Sequence, residues 1–367
     1  MNAEEHGIAP MNADEHSTFA TTLVRWFAAN GRQLPWRGTR DAYAIWLSEV
    51  ILQQTQVAQG RPYWERFMSR WPTVEQLAAA SEDEVLREWQ GLGYYSRARH
   101  LLTAARQVVG MGGFPQTFEG LRRLKGVGDY TAAAIASMAF AQPVAVVDGN
   151  VYRVLSRHFG IDTPINTTEG KHLFAQLAQA MLMQAAPQGA APQTIGRQAA
   201  VYNQAVMDFG ATLCTPRSPR CDECPLQLSC SALRENQVAL LPVKEKKLKV
   251  KERRLTYIYL RCHGHTAIHR RGEGDIWQGL WEPLLIENAD ATDICSQWAL
   301  QGDAATVRLL KKSVRHVLTH RIILADFYLV ETNSRPTLPD GYIWIQERDI
   351  DQYAVPRLVE ILLESMP

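Results

Sequence analysis

Apolar residues recur at three- and four-residue spacing through the first two thirds of the chain. The pattern is clear over residues 42–54 and 132–140. This period predicts α-helices that bury one face, and we expect a mostly helical domain over residues 17–235. Between residues 185 and 196, Ala, Pro, Gln and Gly dominate without any period, which predicts a surface loop.

The hydrophobic period changes to two near the C-terminus. Residues 255–261 and 322–330 alternate in this way, while residues 294–300 and 356–364 return to a helical spacing. Alternation of this kind is typical of half-buried strands. The sequence therefore predicts a second, smaller α+β domain over residues 255–367.

Two segments lack either pattern. Residues 1–16 are polar and carry the near repeat MNAEEH and MNADEH, which predicts a flexible leader. Lysine and arginine dominate residues 244–254, and we interpret residues 236–254 as a basic linker between the domains. This linker is either a solvated connector or one that also lies along a phosphate backbone.

Charge and hydropathy narrow the functional classes. The 367 residues carry 39 Lys and Arg against 38 Asp and Glu, which gives a net charge of +1. This balance excludes a polybasic mode of nucleic-acid binding, and any DNA contact must come from a local basic surface. The longest apolar stretch is too short to span a bilayer and the N-terminus is acidic, so we expect no membrane association and a cytoplasmic protein. We also expect a monomer, although no sequence feature bears on it.

Four cysteines crowd one short segment: Cys214, Cys221, Cys224 and Cys230. In a reducing compartment such crowding indicates a metal centre rather than disulfides. All-sulfur ligation suits either zinc or an iron-sulfur cluster, and the spacing leaves both open. Cys262 and Cys295 stand alone, and we interpret them as ordinary core residues.

A glycine pair marks a second candidate site. In the sequence LKGVGDYTA, which starts at Leu124, two glycines bracket Val127 between helical stretches. Such a turn can present backbone N–H groups to a phosphate oxygen at the start of the next helix. A plain helix-to-helix turn is the alternative.

Two separated carboxylates form a third candidate. Glu49 shares a helical stripe with Ile45 and Leu52, so we expect burial to raise its pKa and keep it protonated. Asp148 precedes a helical pattern, where the N–H groups of the helix would hold it ionised. Two carboxyl groups whose pKa values shift in opposite directions suit the roles of a proton donor and a stabiliser of positive charge. A helix-flank residue and a plain N-cap are the alternatives.

Several of these motifs occur together in one known family. The hairpin sequence, Asp148-Gly-Asn-Val, the cysteine spacing, LPWR at 34–37 and SEVILQQTQ at 48–56 resemble the helix-hairpin-helix DNA glycosylases, and among them the MutY-type adenine DNA glycosylases. The resemblance implies a mainly α glycosylase domain, with its hairpin at 121–140 and an iron-sulfur cluster loop at 214–230, plus a smaller α+β Nudix-like domain.

The resemblance also implies a cofactor, a substrate and roles for single residues. The cysteines would hold a 4Fe-4S cluster, and the substrate would be double-stranded DNA with adenine mispaired with 8-oxoguanine or guanine. Glu49 matches the acid that protonates adenine, and Asp148 the carboxylate that stabilises positive charge on the sugar. Tyr130 stands where the endonuclease III glycosylase/lyases have a nucleophilic lysine, so we expect base removal without strand cleavage. Lys125 is out of register with that nucleophile.

The resemblance assigns further residues to the adenine or the DNA. They are the adenine-pocket residues Trp36, Arg37 and Gln204, the wedge residues Gln54 and Tyr94, the phosphate contacts Gly126, Val127 and Gly128, and the lesion contacts Thr319 and His320. Where many family members have Phe-Ser-His, this chain has Leu318-Thr319-His320, which retains the hydroxyl and the imidazole but lacks the aromatic ring.

Three other functions compete with an adenine glycosylase. A bifunctional glycosylase/lyase is disfavoured by Tyr130 and by the second domain. A non-catalytic iron-sulfur DNA-binding protein is disfavoured by the complete pair of Glu49 and Asp148. A Nudix hydrolase needs a metal-binding run of the form Arg-Glu-x-x-Glu-Glu, which is absent from the sequence between residues 272 and 301.

Overall fold

A computed structural model describes residues 13–186, 189–245, 251–287, 306–318 and 320–367. The chain divides into two compact units. The first comprises Met1–Gly60, Trp71–Glu75 and Thr103–Lys246, and the second comprises Arg61–Arg70, Gln76–Leu102 and Lys247–Pro367. The division therefore departs from a contiguous helical domain over residues 17–235, because two internal segments group with the C-terminal part of the chain.

Helices account for most of the chain up to residue 234. They are α1 (Ala13–Asn30), α2 (Ala42–Leu52), α3 (Val57–Arg70), α4 (Val74–Ala79), α5 (Glu82–Trp89), α6 (Ser96–Gly110), α7 (Phe118–Leu121), α8 (Asp129–Met138), α9 (Gly149–Phe159), α10 (Thr168–Ala185), α11 (Pro192–Thr212) and α12 (Ser231–Arg234), with short 3-10 helices at Pro35–Arg37, Cys221–Glu223 and Gln227–Ser229. The helical prediction is confirmed, although α1 begins inside the predicted leader.

The predicted loop over residues 185–196 is wrong in its second half, because α11 begins at Pro192. Proline suits the first position of a helix, where its missing N–H has no partner to lose. Gly196 lies on this helix, and a methyl group in place of its hydrogen would lie 1.7 Å from the carbonyl oxygen of Ala141. Gly196 is therefore buried against Ala141, while residues 191–194 remain exposed to solvent.

The core of the first unit lies among α1, α8, α9, α10 and α11. Its fully buried side chains include Phe19, Leu155, Phe174, Tyr202 and Phe209. At 25 cal/mol per Å², burying side chains of this size contributes about 1.5–3 kcal/mol each. This packing fixes the N-terminus of α9 beside α8 and α11, from which the candidate site is built.

The second unit contains a mixed β-sheet. Its strands are β1 (Lys251–Cys262), β2 (His265–Arg270), β3 (Trp281–Glu282), β4 (Leu284–Glu287), β5 (Thr306–Val317), β6 (Arg321–Glu331) and β7 (Tyr342–Gln346), followed by a 3-10 helix at Glu347–Gln352 and the helix α13 (Arg357–Leu363). The order is β3-β2-β1-β6-β5, with β4 paired to β1 and β7 to β2. Strands β1 and β6 run parallel from Lys251 opposite Arg321, and the other pairs are antiparallel.

The alternation of β1 and β6 sorts their side chains between two apolar clusters. Tyr257 and Phe327 point to one face, where Leu358 and Leu362 of α13 cover them. Ile258 and Tyr328 point to the other face. The predicted strands at 255–261 and 322–330, and the predicted helix near 356–364, are confirmed, and so is the burial of Cys262.

The predicted linker is shorter than the sequence indicated. Residues 251–254 belong to β1, and the N–H of Ile165 donates to the carbonyl of Val243 at 3.1 Å within the first unit. Basic residues therefore pair in a strand and do not all form a connector. The predicted helix at 294–300, Cys295, Thr319 and residues 1–12 of the leader lie outside the described residues. No helix in the described ranges is long and apolar enough to cross a membrane.

Candidate active site and iron-sulfur loop

A cavity of about 990 Å³ opens in the first unit between α2, the turn before α8, the start of α9 and the end of α11. Its volume is at the upper end of the range for small-molecule sites. Apart from the cysteines, the sequence predicts 13 site residues, and eight of them line this cavity: Trp36, Arg37, Glu49, Gln54, Gly126, Gly128, Tyr130 and Asp148. Residues more than 100 positions apart in the chain thus line one cavity.

Glu49 lies on α2 with 8% of its surface exposed. Burial raises the pKa of its carboxyl from 4.5 to about 7, and the nearby negative charge of Asp148 adds to the rise. The Tyr130 hydroxyl donates to Oε2 of Glu49 at 2.5 Å and opposes the rise. The raised pKa inferred from the sequence agrees with this geometry, and at neutral pH the carboxyl has a proton to give.

Asp148 caps the N-terminus of α9. Its Oδ1 accepts the backbone N–H groups of Asn150 at 2.9 Å and Val151 at 2.8 Å, and its Oδ2 accepts the Asn150 side-chain amide at 2.7 Å. Burial nevertheless raises the pKa of Asp148 above its usual value, against these hydrogen bonds. The prediction that the two carboxyl pKa values move in opposite directions is therefore wrong, because desolvation outweighs the helix N-terminus.

Tyr130 projects from the first turn of α8. Its hydroxyl contacts Glu49 and also lies 3.4 Å from the Met207 sulfur, and burial raises its pKa well above the usual value of 10. The phenol therefore stays protonated and acts as a hydrogen-bond donor. Lys125 is exposed in the preceding turn and is not among the residues that line the cavity.

The turn before α8 has the geometry that its glycines suggested. Gly126 has φ of 76°, in the left-handed region, and Gly128 is the N-cap of α8 without a side-chain cap. The first amides of α8 consequently point outward, as at other anion-binding helix ends. The N–H of Val127 instead donates to the carbonyl of Leu124 at 3.1 Å, so Val127 is not free to bind a phosphate through its amide as predicted.

Arg37 is held in the cavity by a residue that sequence reasoning missed. Asp208 on α11 is fully buried, and its carboxylate accepts hydrogen bonds from both terminal nitrogens of Arg37, each at 2.6 Å. Arg32 also donates to Asp208, through its backbone N–H at 2.9 Å and its guanidinium. These hydrogen bonds lower the pKa of Asp208 despite its burial. An acidic residue inside the apolar run VMDFG was the available sequence signal.

Three predicted substrate residues lie in different places. Gln54 lines the cavity and has φ of 57°, a left-handed conformation. Gln204 is half-buried on α11 but is not among the lining residues, because the cavity reaches that helix one turn later, at Met207 and Ala211. Tyr94 belongs to the second unit and is 50% exposed. The structure therefore supports Gln54 as a pocket residue and leaves Gln204 outside it.

The four cysteines of the 214–230 segment line one small cavity of about 30 Å³. No group of three or more His, Cys, Asp or Glu side chains within the described ranges could hold a single metal ion. Four thiols around one space supply the all-sulfur donor set that an iron-sulfur cluster requires.

Arg157 and Arg153 of α9 hold this loop. Nη1 of Arg157 lies 3.4 Å from the sulfur of Cys214 and donates to the carbonyl of Thr215 at 2.8 Å. Nε of Arg153 donates to the carbonyl of Cys214 at 2.7 Å, and its Nη2 donates to the side-chain oxygen of Asn150 at 2.8 Å. The same helix therefore carries Asp148 at its start and supports the cysteine loop along its length.

The predicted lesion contacts are only partly described. His320 is exposed in the turn before β6, where its carbonyl accepts the N–H of Lys251 at 3.1 Å. Leu318, which stands in place of the aromatic residue of many family members, packs against the apolar cluster of α13. Thr319 lies outside the described residues.

Three parts of the chain match models of known protein families. Residues 47–179 match the helix-hairpin-helix superfamily of base excision DNA repair proteins, residues 214–230 match the iron-sulfur binding domain of endonuclease III, and residues 256–365 match the NUDIX domain. A thermostable thymine-DNA glycosylase of known structure is 28% identical, with a TM-score of 0.53 over 60% of this chain and 98% of that one. The two parts thus define a base-excision glycosylase fold joined to a Nudix-like domain.

Two relatives narrow the class to one family. The adenine DNA glycosylase of Mus musculus is 44% identical over 62% of this chain. That of Buchnera aphidicola from Acyrthosiphon pisum is 30% identical over 95% of this chain and 97% of its own length. The chain belongs to the adenine DNA glycosylase family, and its cysteine loop is an iron-sulfur cluster site. It spans only 44% of the length of the mouse relative.

Proposed function

We propose that this protein is an adenine DNA glycosylase of base excision repair. It hydrolyses the N-glycosidic bond of an adenine mispaired with 8-oxoguanine or guanine in double-stranded DNA and leaves an abasic site. The observation that carries the proposal is the pairing of Glu49, whose pKa is about 7, with the Tyr130 hydroxyl at 2.5 Å in a cavity beside a helix-hairpin turn.

The adenine must leave the duplex before it can react, because the glycosidic bond is inaccessible inside the base stack. The cavity is large enough for a flipped nucleotide, and Trp36 supplies a buried indole on its wall. The Arg37 guanidinium, fixed by Asp208, can donate to the edge of the base. A pre-ordered arginine loses little conformational entropy when it binds.

Glu49 supplies the proton that makes adenine a neutral leaving group. The carboxyl proton passes to a ring nitrogen of adenine while the bond between the base and the sugar breaks, and the bonding electron pair leaves with the base. A carboxyl of pKa about 7 is close to the optimum for such a general acid at neutral pH. The tyrosine hydroxyl then stabilises the carboxylate that remains.

Asp148 stabilises the positive charge that develops on the sugar. Its carboxylate is held by two backbone N–H groups and the Asn150 amide, so it needs little rearrangement as charge develops. Water then adds at the sugar carbon and its proton returns to Glu49, which restores the acid. The two carboxyl groups share the work as in glycoside hydrolysis.

The side chain at position 130 predicts that the DNA strand stays intact. A lyase needs an amine that forms a Schiff base with the sugar, and a tyrosine phenol with a pKa well above 10 cannot form one. We therefore propose a glycosylase without lyase activity, acting as a monomer.

Other contacts would place the DNA. The outward amides at Gly126 and Gly128 suit a phosphate oxygen, and Cys214, Cys221, Cys224 and Cys230 would hold a 4Fe-4S cluster that orders the adjacent loop. Gln54 and Tyr94 would fill the gap in the base stack. Residues 255–367 would form the lesion-reading domain, in which Thr319 and His320 contact 8-oxoguanine.

A single-turnover assay tests the proposal. A duplex with adenine opposite 8-oxoguanine is incubated with excess protein and analysed with and without alkali, beside a thymine-glycol duplex. We expect breaks that appear only after alkali. Glu49→Gln should retain DNA binding and lose base release, whereas Glu65→Gln, a surface acid paired with Arg61, should behave as the parent.

Each other outcome has a definite meaning. Breaks without alkali, or activity on thymine glycol alone, would move the protein to the endonuclease III class. Tight binding without any base release would make it a non-catalytic DNA-binding protein. Base release by Glu49→Gln at the parent rate would show that another group is the acid.

A further inference from the structure

The turn between α5 and α6 presents Tyr94 in an unusual backbone conformation. Gly91, Gly93 and Tyr94 all have positive φ, of 93°, 70° and 48°. Glycine adopts such angles freely, but a bulky residue does so only when its surroundings hold it there. The ring of Tyr94 is nevertheless 50% exposed, so the contacts that hold it must act on its inner face.

Arg97 lies against that inner face. The central carbon of its guanidinium is 5.3 Å from the centroid of the Tyr94 ring and 5.3 Å from that of Trp89. Both distances fall within the range of cation–π attraction. Nη2 of Arg97 also approaches the carbonyl oxygen of Gly93 at 3.4 Å, so one guanidinium contacts two rings and the backbone of the turn.

Trp89 gives this arrangement a fixed base. Its side chain is fully buried, its Nε1 donates to the carbonyl of Gly93 at 3.0 Å, and it packs edge-on to Phe67 at 5.8 Å. The guanidinium therefore connects an immobile indole to an exposed phenol. The turn is also tied at its start, since the Tyr63 hydroxyl donates to the carbonyl of Gln90 at 2.7 Å.

The position is an unfavourable one for an arginine. Residue 97 is in the first turn of α6, where the helix dipole disfavours a cation. Burial also lowers its pKa to about 10. Features that cost stability and persist are typical of functional positions.

We propose that Arg97 is a positioning residue that holds the Tyr94 ring ready to stack on a DNA base beside the gap left by the extruded adenine. The inference rests on the proposed function and deepens it. Arg97 itself does not touch the base, and it acts by presetting the ring. Stacking of a base on an aromatic side chain tolerates any sequence, and a preset ring avoids the cost of being ordered on binding.

A double-mutant cycle tests the inference through DNA binding alone. Arg97→Gln, Tyr94→Leu and the double variant are titrated into a duplex that holds a non-hydrolysable adenine analogue opposite 8-oxoguanine, with 2-aminopurine as the neighbouring base. We expect Arg97→Gln to weaken binding about 10-fold, within the range of a partly desolvated cation–π contact, and to reduce the quenching of 2-aminopurine. The double variant should bind no more weakly than Tyr94→Leu.

Arg335→Gln serves as the matched control. Arg335 lies 5.3 Å from the Trp344 ring centroid, so its loss removes a similar stack elsewhere in the second unit and should leave binding and quenching at parent values. Arg97→Lys keeps the positive charge but lacks the planar guanidinium, and it should show an intermediate loss of DNA affinity. It replaces Arg97→Gln in the cycle if that variant does not fold.

Two results would overturn the inference. One is a loss of DNA affinity in the double variant that equals the product of the two single losses, and the other is parent-level quenching of 2-aminopurine in Arg97→Gln. Either would mean that Arg97 does not act through Tyr94. Because the analogue cannot be cleaved, a protein that lacks adenine release would still report on Arg97. Failure of the proposed function would appear separately, in the single-turnover assay.

Discussion

Replacing Tyr130 by phenylalanine should move the alkaline limit of activity to higher pH. In the proposed mechanism Glu49 must be protonated to act. Its pKa is about 7, so kcat/KM of the parent should be half-maximal near pH 7 and then fall about tenfold per pH unit. The 2.5 Å hydrogen bond from Tyr130 favours the carboxylate and lowers this pKa. Its removal must therefore raise the pKa.

The size of the shift follows from the strength of that bond. Hydrogen bonds to charged groups contribute about 1.5–3 kcal/mol, and one pKa unit corresponds to about 1.4 kcal/mol. The inflection should move up by about one to two units. At pH 8.5 the protonated fraction of Glu49 would then rise about 8- to 25-fold, even where the maximal rate of the variant is lower.

The assay is kcat/KM for adenine release between pH 5.5 and 9.5, which reports the ionisations of the free enzyme. Tyr152→Phe is the matched control, because Tyr152 also lines the cavity and its ring packs against Phe174 at 5.2 Å. That variant should keep its inflection near pH 7. An unmoved or lowered inflection in Tyr130→Phe would refute the assignment of Glu49 and Tyr130 as a coupled acid.

Three further outcomes are expected. The pKa of Glu49 is raised from 4.5 to about 7 on folding, so between pH 4.5 and 7 the folded state binds more protons than the unfolded state. The free energy of unfolding therefore falls as the pH rises through this range. Glu49→Gln should raise Tm at pH 8, because it removes a cost of up to about 3 kcal/mol. Asp208→Asn leaves Arg37 without its carboxylate, and it should lower the free energy of unfolding by about 3–5 kcal/mol in urea titration and weaken substrate binding. Gly196→Ala forces a methyl group within 1.7 Å of the Ala141 carbonyl oxygen and should cost more than about 3 kcal/mol by thermal unfolding.

Control variants separate these effects from general damage. Arg61→Gln breaks an exposed pair with Glu65 and should change stability by less than about 0.5 kcal/mol. Gly38→Ala adds a methyl group where nothing lies within 4 Å and should be nearly neutral. A Tm for Glu49→Gln that falls below the parent at pH 8, or near-parent stability of Asp208→Asn or Gly196→Ala, would contradict the packing and charge described here.

Much of the candidate site could be predicted from the sequence because its signals are local. The cysteine segment places four thiols within 17 residues, and the two glycines of LKGVGDYTA leave few conformations other than a tight turn before a helix. Glu49 on an apolar helical stripe implied burial, and burial implied a raised pKa. Local chain geometry determines the cysteine segment and the turn, whereas the apolar stripe of α2 only indicates that Glu49 becomes buried once the chain folds.

Other features depend on residues that are remote in the chain. Arg37 and Asp208 are 171 positions apart, and only the tertiary fold brings α11 to the 3-10 helix Pro35–Arg37 that carries Arg37. The sign of the Asp148 pKa shift likewise reversed, because the sequence shows the helix N-terminus but not the surrounding burial. Long-range packing also placed Gln204 outside the cavity.

The sequence by itself therefore determined the kinds of element, the cysteine loop and the hairpin turn, and it indicated Glu49 as the candidate acid. The tertiary structure alone decided which distant charges meet, how far each is desolvated, and that a buried tryptophan and an arginine stand behind Tyr94. The physical reason is that periodicity and turn chemistry act over a few residues, whereas desolvation and ion pairing depend on everything that surrounds a group in space.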